Sequence, residues 1–296
     1  MKIYILSDIH YDFYRNSYLG NNTFYRQHCN MDRFFEREFL PADTIVIPGD
    51  LANTFEETKM FIKDISSRYK NIVMCLGNHD LALTWDTKIV SDNPSAPKDC
   101  IISSDNLFKT SEEKIDVIKK YCNQFENVHL LDGNCISIDG VKFGGSMGIW
   151  DMSFIRDYGL DNKYSEMKEW WRNCWFDGIH WDYCSQNLEK IRELEFGKVQ
   201  KVLEEHPDVM LTHFAPLPSE KFMHPIHRRD YTSAMFYFDD KIAKEYLAEN
   251  PKAIWCAGHT HTAFIEDRIY VHPKAYPEEH PRVYNKLHNK NFLLNI

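Results

Sequence analysis

No stretch of this chain approaches the roughly 18 uninterrupted apolar residues that a membrane span requires. The apolar run Ile3–Leu6 stops at Ser7 and Asp8, too early for a secretory leader. The expectation is a cytoplasmic protein with no membrane partner. C-x-x-C pairs are missing as well. The eight cysteines (Cys29, Cys75, Cys100, Cys122, Cys135, Cys174, Cys184, Cys256) are scattered, which excludes a zinc ribbon or a dithiol redox motif and leaves reduced, mostly buried thiols. Positive charge is in short supply. At a formal charge of −9 the chain lacks the broad basic surface that neutralises the phosphates of a duplex, so duplex nucleic acid is not an expected partner. Internal repeats and low-complexity linkers are absent, nothing marks a boundary, and the chain reads as one domain over residues 1–296. The sequence sets no oligomeric state.

What is present is the balance of a globular protein: 43% hydrophobic and 27% charged residues, with 14% aromatics pointing to a well-packed interior or an aromatic-lined cleft. Apolar runs of strand length recur near residues 3–7, 44–48, 71–76, 127–131, 208–212 and 252–257. Helical spacing separates the early ones, over Phe55–Tyr69 and Glu112–Tyr121. This alternation predicts an α/β layered fold. A hairpin is expected across Cys135–Phe143, turning at Asp139–Gly140, and a second across Ala263–Tyr270, which makes the sheets mixed.

Two stretches stand outside the alternation. Tyr11–Asn30 is polar and aromatic, and Trp150–His206 carries Trp150, Trp170, Trp171, Trp175 and Trp181. Residues 150–206 read either as a helical layer packing its aromatics into the core or as a cap inserted over the active site. In the second case Trp170 and Trp171 are candidate substrate contacts.

The strongest signal is positional, since strand after strand runs into a metal-ligand residue type. Ile3–Leu6 leads to Ser-Asp8-Ile-His10, Ile45–Pro48 to Gly-Asp50, and Ile72–Leu76 to Gly-Asn78-His79-Asp80. Val209–Leu211 leads to Thr-His213, and Ala253–Cys256 to Ala-Gly-His259-Thr-His261. Carboxyl ends of strands are where open α/β sheets bind ligands. Taken singly, a D-x-H or a G-D is common by chance; the ordered set is not.

The series D-x-H, G-D, G-N-H-D, T-H and G-H-T-H, spread from Asp8 to His261, resembles the calcineurin-like metallophosphoesterases, which include phosphoprotein phosphatases, cyclic-nucleotide phosphodiesterases and nucleases. The resemblance, rather than the periodicity, implies a β-sandwich of two mixed sheets flanked by helices. It implies one metal among Asp8, His10, Asp50 and His261 and another among Asp50, Asn78, His213 and His259, with Asp50 bridging. Carboxylate, imidazole and amide oxygen suit Mn²⁺, Fe²⁺, Fe³⁺ or Zn²⁺. Two such ions turn water into a nucleophile near neutral pH and stabilise charge on phosphoryl oxygens. The implied catalytic residues are Asp50 and His79, the latter contacting phosphate and helping to protonate the leaving oxygen.

One position departs from the pattern. Some members carry Asp three residues after the bridging carboxylate, to orient and charge the histidine equivalent to His79; here it is Asn53. An amide orients an imidazole without stabilising imidazolium, so His79 is expected to act mainly as a neutral donor. Asp80 is either a hydrogen-bond acceptor behind the ligands or a cap on its own segment. Lys221, His224, His227, Arg228 and Arg229 form a basic cluster after His213, with Arg228 and Arg229 as candidate substrate-binding residues beside the alternative of a solvated loop.

The reading is a binuclear-metal phosphoesterase acting on a phosphate monoester or diester of a small or medium-sized molecule or nucleotide. A nuclease for single-stranded nucleic acid and a catalytically inactive binding scaffold on the same fold are the alternatives.

Overall fold

The computed structural model describes residues 1–16, 31–84, 107–151, 153, 159, 161–217, 231–279 and 287–296. Arg228 and Arg229, with the rest of their basic cluster, lie outside these residues, as does much of Tyr11–Asn30.

In chain order the elements that matter here are β1 (Lys2–Ile5), α1 (Tyr11–Asn16), α2 (Met31–Glu38), β2 (Thr44–Pro48), α3 (Phe55–Ser66), β3 (Asn71–Cys75), α4 (Ser111–Cys122), β4 (Val128–Leu130), β5 (Asn134–Ile138) and β6 (Val141–Ser146). They continue with α5 (Tyr164–Cys174), α6 (Phe176–His180), α7 (Leu188–Glu204), β7 (Val209–Thr212), β8 (Ala215–Leu217), β9 (Tyr237–Asp239), α8 (Lys241–Glu249), β10 (Ile254–Ala257), β11 (Phe264–Glu266), β12 (Ile269–Val271) and β13 (Leu293–Asn295).

Every residue of β2 and β3 is buried, which is why these strands read as unbroken apolar runs. Helices begin where the sequence offers caps. Thr54 accepts from the Glu57 amide, Thr110 from Glu113 and Asn187 from Lys190, each satisfying a donor that the first helical turn leaves open.

Two large mixed sheets result. One has the order β13-β1-β2-β3-β4, parallel except for the edge strand β13; the other has the order β11-β12-β10-β7-β6-β5, parallel at its centre with antiparallel β11 and β5 at the edges. β2 and β3 face β6, β7 and β10 across a continuous apolar core, so the expected two-sheet arrangement flanked by helices is present.

Both hairpins form. The first turns through Asp139 and Gly140 at φ 50° and 85°, as a two-residue primed turn requires. The second places Asp267 and Arg268 at positive φ without a glycine. The Arg268 guanidinium compensates by donating to the carbonyls of Leu247, Asn250 and Ala253. Among the described residues no helix is long and apolar enough to cross a membrane.

Candidate metal centre

The parallel strands of both sheets deliver their carboxyl ends to one place, and the loops there are bent hard. Asp8, His10, Asp50, His259 and His261 all occupy the left-handed region, at φ 51°, 44°, 56°, 68° and 48°. For residues other than glycine such a conformation costs about 1–3 kcal/mol each and persists only where the surroundings impose it.

Here they do. The Asp8 amide donates to the Gly49 carbonyl, and the Ile9 and His10 amides to that of Asp50, locking two ligand loops together. The His259 amide donates to Asp8 Oδ1 at 2.8 Å and the His79 amide to Asp50 Oδ1 at 2.9 Å. A Cβ on Gly77 would stand 2.2 Å from Asp50 Oδ1, so only glycine lets the Asn78 loop approach the Asp50 loop this closely.

The side chains converge in two groups sharing Asp50. Asp8, His10, Asp50 and His261 gather their ligand atoms in one; Asp50, His213 and His259 gather theirs in the other. His10 Nε2 lies 3.0 Å from His261 Nε2 and 3.7 Å from Asp50 Oδ2, while His261 Nε2 lies 3.5 Å from Asp8 Oδ1. On the other side His213 Nε2 is 3.3 Å from Asp50 Oδ1 and 2.8 Å from Asn78 Oδ1, and His259 Nδ1 is 3.0 Å from the same amide oxygen. Donors about 3 Å apart match the edges of a coordination shell whose bonds are about 2.1 Å. All seven predicted ligands are brought together.

The outward faces of the rings are anchored, which leaves the inward nitrogens aimed at the centre. His213 Nδ1–H donates to the Pro48 carbonyl, His259 Nε2–H to that of Met235, and His261 Nδ1–H to Glu279 at 2.6 Å. Such outer hydrogen bonds fix the tautomer of a ligating histidine.

The charges agree with a cation site. Burial alone raises a carboxylate, but His213, His79 and His10 together hold Asp50 well below the usual range; burial raises Asp8. Burial lowers His213, yet Asp50 overrides it and pushes His213 up to about 9, while burial and His213 hold His259 well below the ordinary value. The same split recurs in the other group: His261 is raised against its burial by Glu279 and Asp8, and His10 is lowered by burial and His79. Asp50 Oδ2 is buried without a hydrogen-bond partner. Asp50 Oδ2 thus keeps electron pairs that no hydrogen-bond donor satisfies, and oxygen with imidazole nitrogen is the ligand chemistry of a divalent transition metal.

His79 faces this centre without joining it. Its Nδ1 is 2.7 Å from Asn53 Oδ1, as the sequence pattern implied, and its Nε2 is 3.2 Å from the Tyr276 hydroxyl. Which end of the Asn53 amide meets the ring is decided one step further out, where Asn53 Nδ2 donates to Asp12 Oδ2 at 2.7 Å. A carboxylate only accepts, so Asn53 offers its oxygen to His79 and the neutral ring carries its proton on Nδ1. This corrects the expectation of a neutral donor. Neutral His79 presents Nε2 to the pocket as an acceptor, and the group donates there only as imidazolium. Burial pushes its pKa down to about 4 despite Asp50, so the neutral form prevails in the isolated pocket.

Asp80 reaches both its own loop and the neighbouring one. It accepts from the amides of Leu51, Ala52 and Gly77 and so ties the Asp50 loop to the Asn78 loop.

Beside the ligands lies a pocket of about 200 Å³ walled by Trp175, Phe176, Phe236, Tyr276 and Glu279. The described residues of 150–206 contribute both to the core and to the lining of this pocket. Helix α7 packs on β5 and β6, and Trp150, Trp171 and Trp181 are buried in the core. Trp171, 1% exposed, is a core residue rather than a substrate contact, and Trp170 stands behind the pocket wall, with its ring 5.3 Å from that of Trp175. The wall itself is Trp175 and Phe176, with the Phe176 ring 3.9 Å from that of His79. Sequence reasoning missed Phe176, Phe236, Tyr276, Glu279, Asp12 and Asp177. None of them sits in a motif or at a fixed spacing from one.

Comparison with known proteins adds an independent line. The model of the calcineurin-like phosphoesterase family matches residues 1–263. An uncharacterised protein of Acanthamoeba polyphaga mimivirus is 23% identical over 261 residues, covering 80% of this chain and 79% of that one. Among solved structures the phosphopantetheinyl hydrolase of Mycobacterium tuberculosis superposes with a TM-score of 0.59 at 16% identity, covering 99% of this chain and 94% of the other. At that identity the likeness concerns the fold.

Proposed function

This chain belongs to the calcineurin-like phosphoesterase family, and from that premise we propose that it hydrolyses a phosphate monoester or diester of a small or medium-sized substrate at a centre of two divalent cations. The observation that carries the reading is the convergence of two donor groups on the shared carboxylate of Asp50. Asp8, His10, Asp50 and His261 would hold one ion, and Asp50, Asn78, His213 and His259 the other. When bound, the ions supply a water nucleophile near neutral pH and neutralise charge on the phosphoryl oxygens.

The remaining roles belong to the chain's own groups. His79 Nε2 points into the pocket and receives the phosphate edge; an anionic phosphate there favours the imidazolium, which then has a proton for the leaving oxygen. Asn53 keeps the other ring nitrogen protonated throughout. The Phe176 ring against His79 and the Trp175–Phe236 pair beside it exclude water from one side and offer flat apolar surface to the ester's organic part.

The test is a substrate panel with Mn²⁺ added: an aryl phosphate, a bis-aryl phosphate, nucleoside monophosphates, a phosphopantetheinyl ester and a single-stranded oligonucleotide. Metal-dependent turnover of a small ester, abolished by a chelator, is expected. Turnover of the oligonucleotide alone, falling steeply with salt, would identify a nuclease instead. Two bound ions with no turnover of any member would identify a binding scaffold.

A further inference from the structure

A primary amide binds a metal through its oxygen only, and its two ends are nearly equal in size, so packing alone does not choose which end meets a cation. At Asn78 the choice is made by a residue outside every motif. Asn78 Nδ2 donates to Asp177 Oδ1 at 2.9 Å, across 99 residues of sequence, and this leaves Oδ1 within 2.8 Å of His213 Nε2 and 3.0 Å of His259 Nδ1. Asp177 is fully buried. Its helix α6 grips the same loop at further points: Trp181 Nε1–H, just past the helix, donates to the Asn78 carbonyl at 2.8 Å, and Phe176 lies on the His79 ring.

We propose that Asp177 is the positioning residue for the Asn78 half of the metal centre, holding the amide so that its oxygen faces the ion and thereby making the aromatic wall and the metal site one unit. The proposal rests on the two-cation reading above. Were the carboxylate an amide, either end could meet Asn78 and the flipped state, with NH₂ toward the ion, would become accessible. Asp177 meets Asn78, a ligand of one half alone, while the Asp8–His10–Asp50–His261 half is held by its own outer contact from Glu279 to His261, so the effect is centred on one ion.

The experiment is a Mn²⁺ titration by calorimetry, with spin counting of bound ion, on the wild type, Asp177→Asn, and the exchanged pair Asn78→Asp with Asp177→Asn. Thermal melting is followed in parallel. The wild type should take up two ions. Asp177→Asn should keep one at wild-type affinity and bind the other about 10–100-fold more weakly, the usual cost of losing an outer hydrogen bond to a ligand. The exchanged pair should regain the second ion, because an aspartate at 78 offers oxygen from both ends and the asparagine at 177 supplies the donor. A merely structural Asp177 would instead lower the melting temperature and weaken both ions together, with no recovery in the exchanged pair, and that result overturns the proposal. Two equally tight ions in Asp177→Asn overturn it alone. No Mn²⁺ binding by the wild type overturns the two-cation reading with it. Should Asp177→Asn fail to fold, the exchanged pair against the wild type carries the test: two ions are expected, and one ion or none refutes it.

Discussion

Asn53→Asp probes the His79 assembly most sharply, because it changes one atom in a chain of three hydrogen-bonded side chains. Asn53 stands 2.7 Å from both His79 and Asp12. With about 4 Å between charge centres and an effective dielectric of about 20, a carboxylate here stabilises imidazolium by about 4 kcal/mol, or about 3 pKa units. The new carboxylate also faces Asp12, which burial already pushes up to about 6, so the two share a proton and part of the effect is lost. The expected rise is about 1–3 units above the value of about 4 in the native pocket. The sign follows directly. Imidazolium persists to higher pH, and a reaction that needs its proton keeps its rate to higher pH by the same interval. The assay is kcat/KM against pH for an alkyl phosphate, whose poor leaving group needs the proton, beside an activated aryl phosphate, whose leaving group does not. Only the alkyl profile should move. An unchanged alkyl profile in a variant with native melting temperature and metal content would refute the linkage of Asn53 to His79.

His79→Asn should lower kcat by about a hundredfold or more with metal content unchanged, and by less on the activated aryl ester; an equal loss on both would assign His79 a purely positional role. Metal affinity at the His213 half should rise about tenfold per pH unit up to about pH 9, since an ion there displaces the proton that Asp50 holds on His213. Calorimetry in two buffers of different ionisation enthalpy should show that proton released, and its absence would contradict the assignment. Trp171→Ala should cost about 3–5 kcal/mol of stability as a core truncation, with activity on all substrates falling together. Trp175→Ala should instead raise KM for a bulky ester while sparing a minimal aryl phosphate; parallel changes in both substrates would remove the recognition role.

The candidate ligands were legible because each is a polar residue placed where a buried apolar strand ends, and such a placement has few structural uses. The sandwich came through resemblance, since periodicity in β2 and β3 says only that they are buried on both faces. The groups behind the ligands were not legible. Asp177 and Asp12 sit on short helices and Glu279 on an irregular segment, and their meeting with Asn78, Asn53 and His261 is set by how the elements pack, across 99, 41 and 18 residues. Trp170 and Trp171 were singled out as aromatic neighbours on an insertion, but a helix presents successive residues to different surroundings. Trp171 went to the core, while the pocket drew on Trp175 and Phe176, where α5 gives way to α6. Asp80, adjoining a ligand, was readable as a polar tie but not as the link to Leu51 and Ala52, which lie on the neighbouring loop.

The central claim is that one carboxylate, Asp50, is shared by two cations. Elemental analysis of the purified protein and of Asp50→Asn, with turnover measured on the same samples, tests it most directly. Two ions per chain in the wild type, with both sites weakened and turnover abolished in Asp50→Asn, is the expected result, because an amide cannot neutralise charge on two ions at once. An Asp50→Asn protein that retains two ions and full turnover would contradict the account.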